Sequence, residues 1–463
     1  MKDLKQTAEE YGKEGYYPFH MPGHKRRDLV FPGTEIWDFT EITGFDDLHH
    51  PEGILLEAEQ RAAELYGAEH TAFLVNGSTA GILSAVMCAT SPGDRILCPR
   101  NVHRSVLNAI RLNALKVVWL DTGWLFPGVY DKVTVSAVEK ACREHPGIRA
   151  VLITSPGYEG VLSEVEEIAG FCRKKGIPFL VDEAHGAHFL PFAKGFPKSA
   201  VTLGADFVIQ SLHKTLPALT QTGLVHVRKE EDFKSLSACL DIFQTSSPSY
   251  LLMGSIDRCL GFLSKNGEAL FADYRKRLDR FRQSLGDLKQ LILADEEGRD
   301  PGKLLIRIPE NTGLTGRELL NRLREEYRLE LEMAGADYVL AMTSIMDTEE
   351  GFERLSKALL EIDRGLSSFS RIPTEGAVFL TSLPEKRMEL SDAMRAESEE
   401  AELSDAKGRI LSGSVLLYPP GTPLAAAGEV VSEELIRQIR YFSEHGYSLY
   451  GLSPSGRVSV VKS

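Results

Sequence analysis

Apolar residues recur along this chain with two alternating periods. From about residue 52, "EGILLEAEQRAAELYG" carries them at helical spacing, with acids in its first turn and Gly67 as a stop, and "TAFLV" follows as a short strand-like run. The alternation continues. "STAGILSAVMCAT" reads as a helix, "DRILC" as a strand, "VHRSVLNAIRL" as a helix and "KVVWL" as a strand, and "RAVLITS", "EVEEIAGFCRKKG", "PFLVDE", "ADFVIQ" and "GLVHV" repeat the theme. Such alternation predicts an α/β region with a mainly parallel sheet covered on both faces. Functional groups then belong on loops at the carboxyl ends of the strands.

A turn-rich arm, residues 1–50, precedes this region, and a charged helical stretch from about 255 to 290 closes it. We read 51–295 as a large domain and 296–463 as a smaller α+β domain. The second contains "KLLIRI", "GRELLNRLREEY", "DYVLAMTSI", "EEGFERLSKALLEI" with Thr348 as its cap, "SVLLYPPGTPL" and "SEELIRQIRYFSEHG". The acidic "MRAESEEAELSDAKG" is expected to be a solvated surface segment.

Charge and length narrow the classes. The 463 residues are 43% hydrophobic and 26% charged, with 53 Lys and Arg against 66 Asp and Glu, so the net charge is −13. That balance lacks the basic footprint of a nucleic-acid or anionic-membrane binder. No apolar run approaches the roughly 20 residues that span a bilayer, and the start has no apolar signal segment; the expected location is cytoplasmic. The six cysteines form no C-x-x-C pair. They are expected to be buried free thiols rather than disulfides, zinc ligands or a nucleophile.

Four motifs sit at predicted strand ends. "NGSTAG" places Gly77, Ser78 and Thr79 at a helix start, where free amides and hydroxyls either cradle a phosphate or simply cap the helix. "RNVHRS" carries His103. "VDEAHGAH" puts Asp182 at the end of an apolar run, followed by His185 and His188, whose i, i+3 spacing suggests zinc but for want of a third ligand. An NTPase reading of "DEAH" fails because no G-x-x-x-x-G-K-[ST] loop accompanies it. The fourth, "QSLHKTLPALTQTG", brings Ser211, His213 and Lys214 to a strand end. A phosphate cradle, an imidazole for stacking, a strand-end carboxylate and a strand-end lysine together match the needs of pyridoxal 5'-phosphate. Lysine supplies the imine, and the carboxylate keeps the pyridine nitrogen protonated. No metal is expected.

The motifs "FHMPGHK", "GFDDLHHPEG", "NGSTAG", "RNVHRSV", "VDEAHGAH", "SLHKT", "TSSPSY" and "YPPGTPL" resemble the signatures of the ornithine/lysine/arginine decarboxylase family, in its short form without an N-terminal wing domain. The resemblance implies a fold-type I (aminotransferase-like) large domain with a smaller C-terminal domain, and decarboxylation of arginine, lysine or ornithine in polyamine biosynthesis. It assigns Gly77, Ser78 and Thr79 to the phosphate, His103 to the ring face, Asp182 to the ring nitrogen, and Ser211 and His213 to further phosphate contacts. Lys214 would carry the cofactor, and His185, where some relatives have Trp, would lie in the same site. Thr245 and Ser246 would reach the phosphate of a neighbouring subunit, so a homodimer with shared sites is expected. Arg26 after "GHK", and "TPLAAAGE" without a proline before its Gly-Glu pair, depart from the family wording.

Some choices stay open in the residues. The proton donor at Cα is Lys214 or His213. The distal cation of a basic substrate would meet Asp46 or Asp47, unless these belong to a solvated loop. The rival readings are another fold-type I reaction, an aminotransferase or lyase, and a non-catalytic regulatory homologue.

Overall fold

β-Branched and aromatic side chains fill the short runs that become strands, and each run is punctuated by a residue suited to start or stop a helix. A computed structural model describes residues 3–14, 21–22, 25, 33–34, 37–295, 297–366, 382–419 and 421–462. Arg26 and most of "FHMPGHK" lie outside them. The chain divides into two compact units, residues 1–89 with 178–273 and residues 90–177 with 274–463.

In the first unit, "EGILLEAEQRAAELYG" forms the helix Ile54–Tyr66. Its N-terminus is closed by Asp46, whose Oδ2 accepts the amides of Gly53 at 2.7 Å and Leu55 at 2.9 Å. The strand His70–Leu74 follows, then the helix Gly77–Ala89. Four strands lie side by side in the order His70–Leu74, Gly223–Val227, Phe207–Ser211 and Phe179–Asp182. The last two are parallel, as the alternation predicts. Gly223–Val227 instead runs antiparallel to both of its neighbours. The reason is the connection: after the short helix Leu212–Thr215, a seven-residue link turns the chain straight back, and only a longer crossover returns a strand in parallel.

The second unit holds three parallel strands in the order Ile148–Thr154, Arg95–Pro99 and Lys116–Leu120. Its four-stranded antiparallel sheet orders Ile292–Leu293, Lys303–Arg307, Tyr338–Met342 and Met333–Ala334. Thr348 caps the helix Glu349–Gly365 as expected, its side chain accepting from the Gly351 amide. Towards the carboxyl end, the helix Glu433–Glu444 turns Leu435, Ile436, Ile439 and Phe442 onto Val415, Ala425, Val458 and Val460. Each such side chain contributes about 1.5–3 kcal/mol by leaving water. The acidic segment is solvated as expected, and part of it is also paired: Ser398–Ala401 forms a strand with Val458–Val461. Its outward residues are solvated while Ala401 is buried, so edge pairing and an acidic exposed face coexist.

All six cysteines are free thiols. Burial pushes Cys88 and Cys259 up to about 12, which leaves little thiolate at neutral pH and removes them as nucleophiles. Among the described residues no helix is long and apolar enough to cross a membrane.

Candidate active site

The helix start at Gly77 and the strand end at Ser211 meet in the first unit. Gly77 takes φ +73°, a left-handed conformation that favours glycine and that turns the chain from the strand into the helix. Ser211 Oγ donates to Ser78 Oγ at 2.9 Å, so two hydroxyls from residues far apart in sequence form one polar patch. Gly223 closes its side. A Cβ there would come within 2.6 Å of the Gln210 carbonyl and 3.5 Å of the Ser78 amide nitrogen, so only glycine leaves the cradle open.

Lys214 stands three residues beyond Ser211, half-buried on the helix Leu212–Thr215. Its Nζ lies 3.0 Å from His185 Nε2. As an ammonium it donates to that ring nitrogen, which makes the neutral imidazole an acceptor. Asp182 is 4% exposed at the end of Phe179–Asp182. Burial raises its pKa, against which work the Lys214 ammonium and the Ala184 amide, 3.1 Å from Oδ1. A buried carboxylate held by a nearby cation is suited to a cationic partner. His213 donates from Nδ1 to the Thr222 carbonyl at 2.9 Å, and burial lowers its pKa. At neutral pH its ring is therefore uncharged, with Nε2 as the basic atom.

Thr245 and Ser246 are exposed, just ahead of the helix Tyr250–Ser284. Within this chain the Thr245 amide donates to Asn76 Oδ1 at 3.3 Å, and His49 Nε2 donates to the Thr245 carbonyl at 2.9 Å. The segment thus abuts the first residue of "NGSTAG". Gln244 fixes it from beneath: its Oε1 accepts the Val75 amide at 2.9 Å. Asp46 is taken up by its own helix terminus, and Asp47 Oδ1 accepts the His49 amide at 2.9 Å.

His103 belongs to the second unit, where it caps the helix Arg104–Leu112. Its Nδ1 accepts the Ser105 amide at 3.2 Å and the Ser105 hydroxyl at 2.8 Å. The ring edge faces Gly421, at which a Cβ would lie 3.5 Å from Cδ2. Three residues upstream is a feature that sequence reasoning missed. Arg100 forms a two-pronged pair with Glu429, at 2.7 and 2.6 Å, both side chains being buried. Glu429 also accepts the Ala426 amide at 2.8 Å. The Gly-Glu wording of "TPLAAAGE" was the available signal. Removing one partner of a buried pair strands the other charge, so Glu429→Ala is expected to lower stability by about 3–5 kcal/mol. Urea unfolding with an unchanged slope would report it.

The fold defines the class first. A solved lysine decarboxylase from Francisella novicida superposes over 99% of this chain and 81% of its own with a TM-score of 0.84 at 16% identity, and the fold is that of fold-type I pyridoxal-phosphate enzymes. A model of the Orn/Lys/Arg decarboxylase major domain matches residues 3–298, and one of the C-terminal domain of that family matches 375–448. The arginine decarboxylase of Halalkalibacterium halodurans is 32% identical over 95% of this chain and 93% of its own length. That of Bacillus subtilis is 32% identical over 91% and 89%. This chain belongs to the Orn/Lys/Arg decarboxylase family. Membership implies pyridoxal phosphate, and the donor set fits it: a glycine-lined cradle beside two serine hydroxyls, a buried carboxylate, and an amine at a strand end.

Proposed function

We propose that this chain decarboxylates a basic amino acid with pyridoxal phosphate, and that arginine is its first candidate substrate. The observation that carries the reading is the convergence of Lys214, Asp182 and the Ser78–Ser211 pair in one unit. The named arginine decarboxylases supply the substrate class.

In this reading Gly77, Ser78, Thr79, Ser211 and His213 hold the phosphate, Asp182 the ring nitrogen, and His103 the ring face. When bound, the cofactor supplies an electron sink for the pair released as the α-carboxylate departs as CO2. Lys214 would hold the cofactor until the substrate amine takes its place; its released amine would take up the proton that the substrate ammonium gives up and rest against His185 Nε2. One proton then goes to Cα, from Lys214 Nζ or from a protonated His213 Nε2. The lowered pKa of His213 favours the ammonium as donor. Thr245 and Ser246 complete the phosphate site of a second subunit, so the working unit is a cytoplasmic homodimer in which residues 1–50 serve as an arm, 51–295 as the cofactor domain and 296–463 as the small domain.

Product analysis tests the reading. The purified chain, loaded with pyridoxal phosphate, is incubated separately with arginine, lysine and ornithine. The expected result is CO2 and the corresponding amine from arginine in preference to the other two. A keto acid instead of an amine would point to amino transfer, and no turnover of any of the three would overturn the proposal.

A further inference from the structure

We infer that Glu183 is a positioning residue, the accepting end of a buried hydrogen-bonded chain that sets the strand ends carrying Asp182 and Ser211. The inference rests on the cofactor site proposed above.

Glu183 is 2% exposed and accepts three hydrogen bonds, from Ser199 Oγ at 2.6 Å, the Ala200 amide at 2.7 Å and Gln210 Nε2 at 2.6 Å. Because Gln210 turns its NH2 to the carboxylate, its Oε1 faces His226 Nε2 at 3.1 Å, and that nitrogen must carry the proton. His226 Nδ1 is then an acceptor and takes the Thr71 hydroxyl at 2.8 Å. Thr71, His226, Gln210 and Glu183 therefore form one run in which every donor points toward the carboxylate. Burial pushes His226 down to about 3, which agrees with a neutral ring.

The run joins three strands of the unit and ends on Glu183, one residue beyond the fourth. Glu183 directly follows Asp182, and Gln210 directly precedes Ser211, so a single side-chain bond joins the two positions that flank the site residues. The Glu183 amide adds a second link, donating to the Ile209 carbonyl at 2.9 Å. Side chains alternate along a strand. Ser211 therefore faces the side of its strand opposite to Gln210, and both are fully buried.

Stability alone gives no reason for a carboxylate here. Burial pushes Glu183 up to about 7, and only neutral dipoles oppose it, those of Ser199, Ala200 and Gln210. An apolar side chain of similar volume would cost less. A carboxylate does what an apolar group does not: it accepts three hydrogen bonds from two separate segments at once and imposes one direction on the chain behind it. Gly186 is part of the arrangement, since a Cβ there would fall 2.6 Å from Glu183 Cγ. Supporting groups of this kind hold a site to within a fraction of an ångström.

Glu183→Gln keeps the shape but turns an NH2 against one of the three donors. The unaltered chain and E183Q are each titrated with pyridoxal phosphate, the visible circular dichroism of the bound cofactor is recorded, and thermal unfolding is followed separately. The expected result is a Kd raised about tenfold or more, the scale of supporting-group losses, with an altered visible band in a protein whose far-ultraviolet spectrum is unchanged. A folded E183Q with the original Kd and band overturns the inference, even if it melts earlier. If E183Q does not fold, Ser199→Ala removes a single donor; it is expected to raise Kd severalfold, and an unchanged Kd and band there overturn the inference equally. An unaltered chain that takes up no pyridoxal phosphate overturns the site proposal and this inference together, whereas an E183Q that matches a cofactor-binding parent overturns this inference alone.

Discussion

Lys214→Ala is expected to lower amine formation by at least about 10⁴-fold, the order found when a nucleophile is removed from a unit that acts together. Borohydride treatment of the loaded protein should fix the cofactor on Lys214 and on no residue of the variant. The argument is positional. Lys214 stands at the carboxyl end of Phe207–Ser211, 3.0 Å from His185 Nε2, with Asp182 close enough for its own titration to feel the ammonium. Another buried lysine competes for the role: Lys303, 2% exposed, lies 5.8 Å from the centre of the Tyr158 ring in the second unit. It begins an antiparallel strand rather than ending a parallel one. Peptide mapping separates the two, and a cofactor label on Lys303 would sink the assignment.

Asp182→Asn is expected to retain the fold and the bound cofactor yet lose roughly 10²–10³-fold in turnover, the scale of removing one preorganised electrostatic contact. The amide keeps the size of the side chain and withdraws the charge that holds a proton on the ring nitrogen. The pH profile carries a separate signature. Burial raises the Asp182 pKa, with Lys214 and the Ala184 amide opposing it, and the ionised form is the working one. Activity of the parent should therefore fall where pH drops far enough to protonate Asp182, burial working against the cationic ring nitrogen in setting that point. In the Asn variant that acid limb should vanish. Measurement of kcat/KM against pH checks both points, and a variant with the parent's turnover and acid limb would refute the role.

Much of the site is legible in the sequence. Asp182, Ser211 and Lys214 were recognisable because each follows an apolar run of strand length, and a strand's end is a local property of its own residues. Gly77 and Ser78 were recognisable because a helix start has its own residue chemistry. Other groups were not. Asp46, read as a possible partner for a substrate cation, closes the helix Ile54–Tyr66 instead, a use that depends on a loop folding back seven residues. Glu429 lies far along the chain from Arg100, and while the Gly-Glu wording singles out Glu429, nothing in the sequence names its partner.

What the sequence by itself determined is therefore the set of strands and helices, the residue types at their ends and the family they spell out. The tertiary structure alone decided three things: that Gly223–Val227 runs antiparallel, that Ser78 and Ser211 share one hydrogen bond, and that Thr71, His226, Gln210 and Glu183 form one directed chain. The physical reason is range. Periodicity and capping act over a few residues and leave their mark in the order of the letters. Strand direction and buried pairing depend on where the chain returns, which is set by the packing of all the elements together.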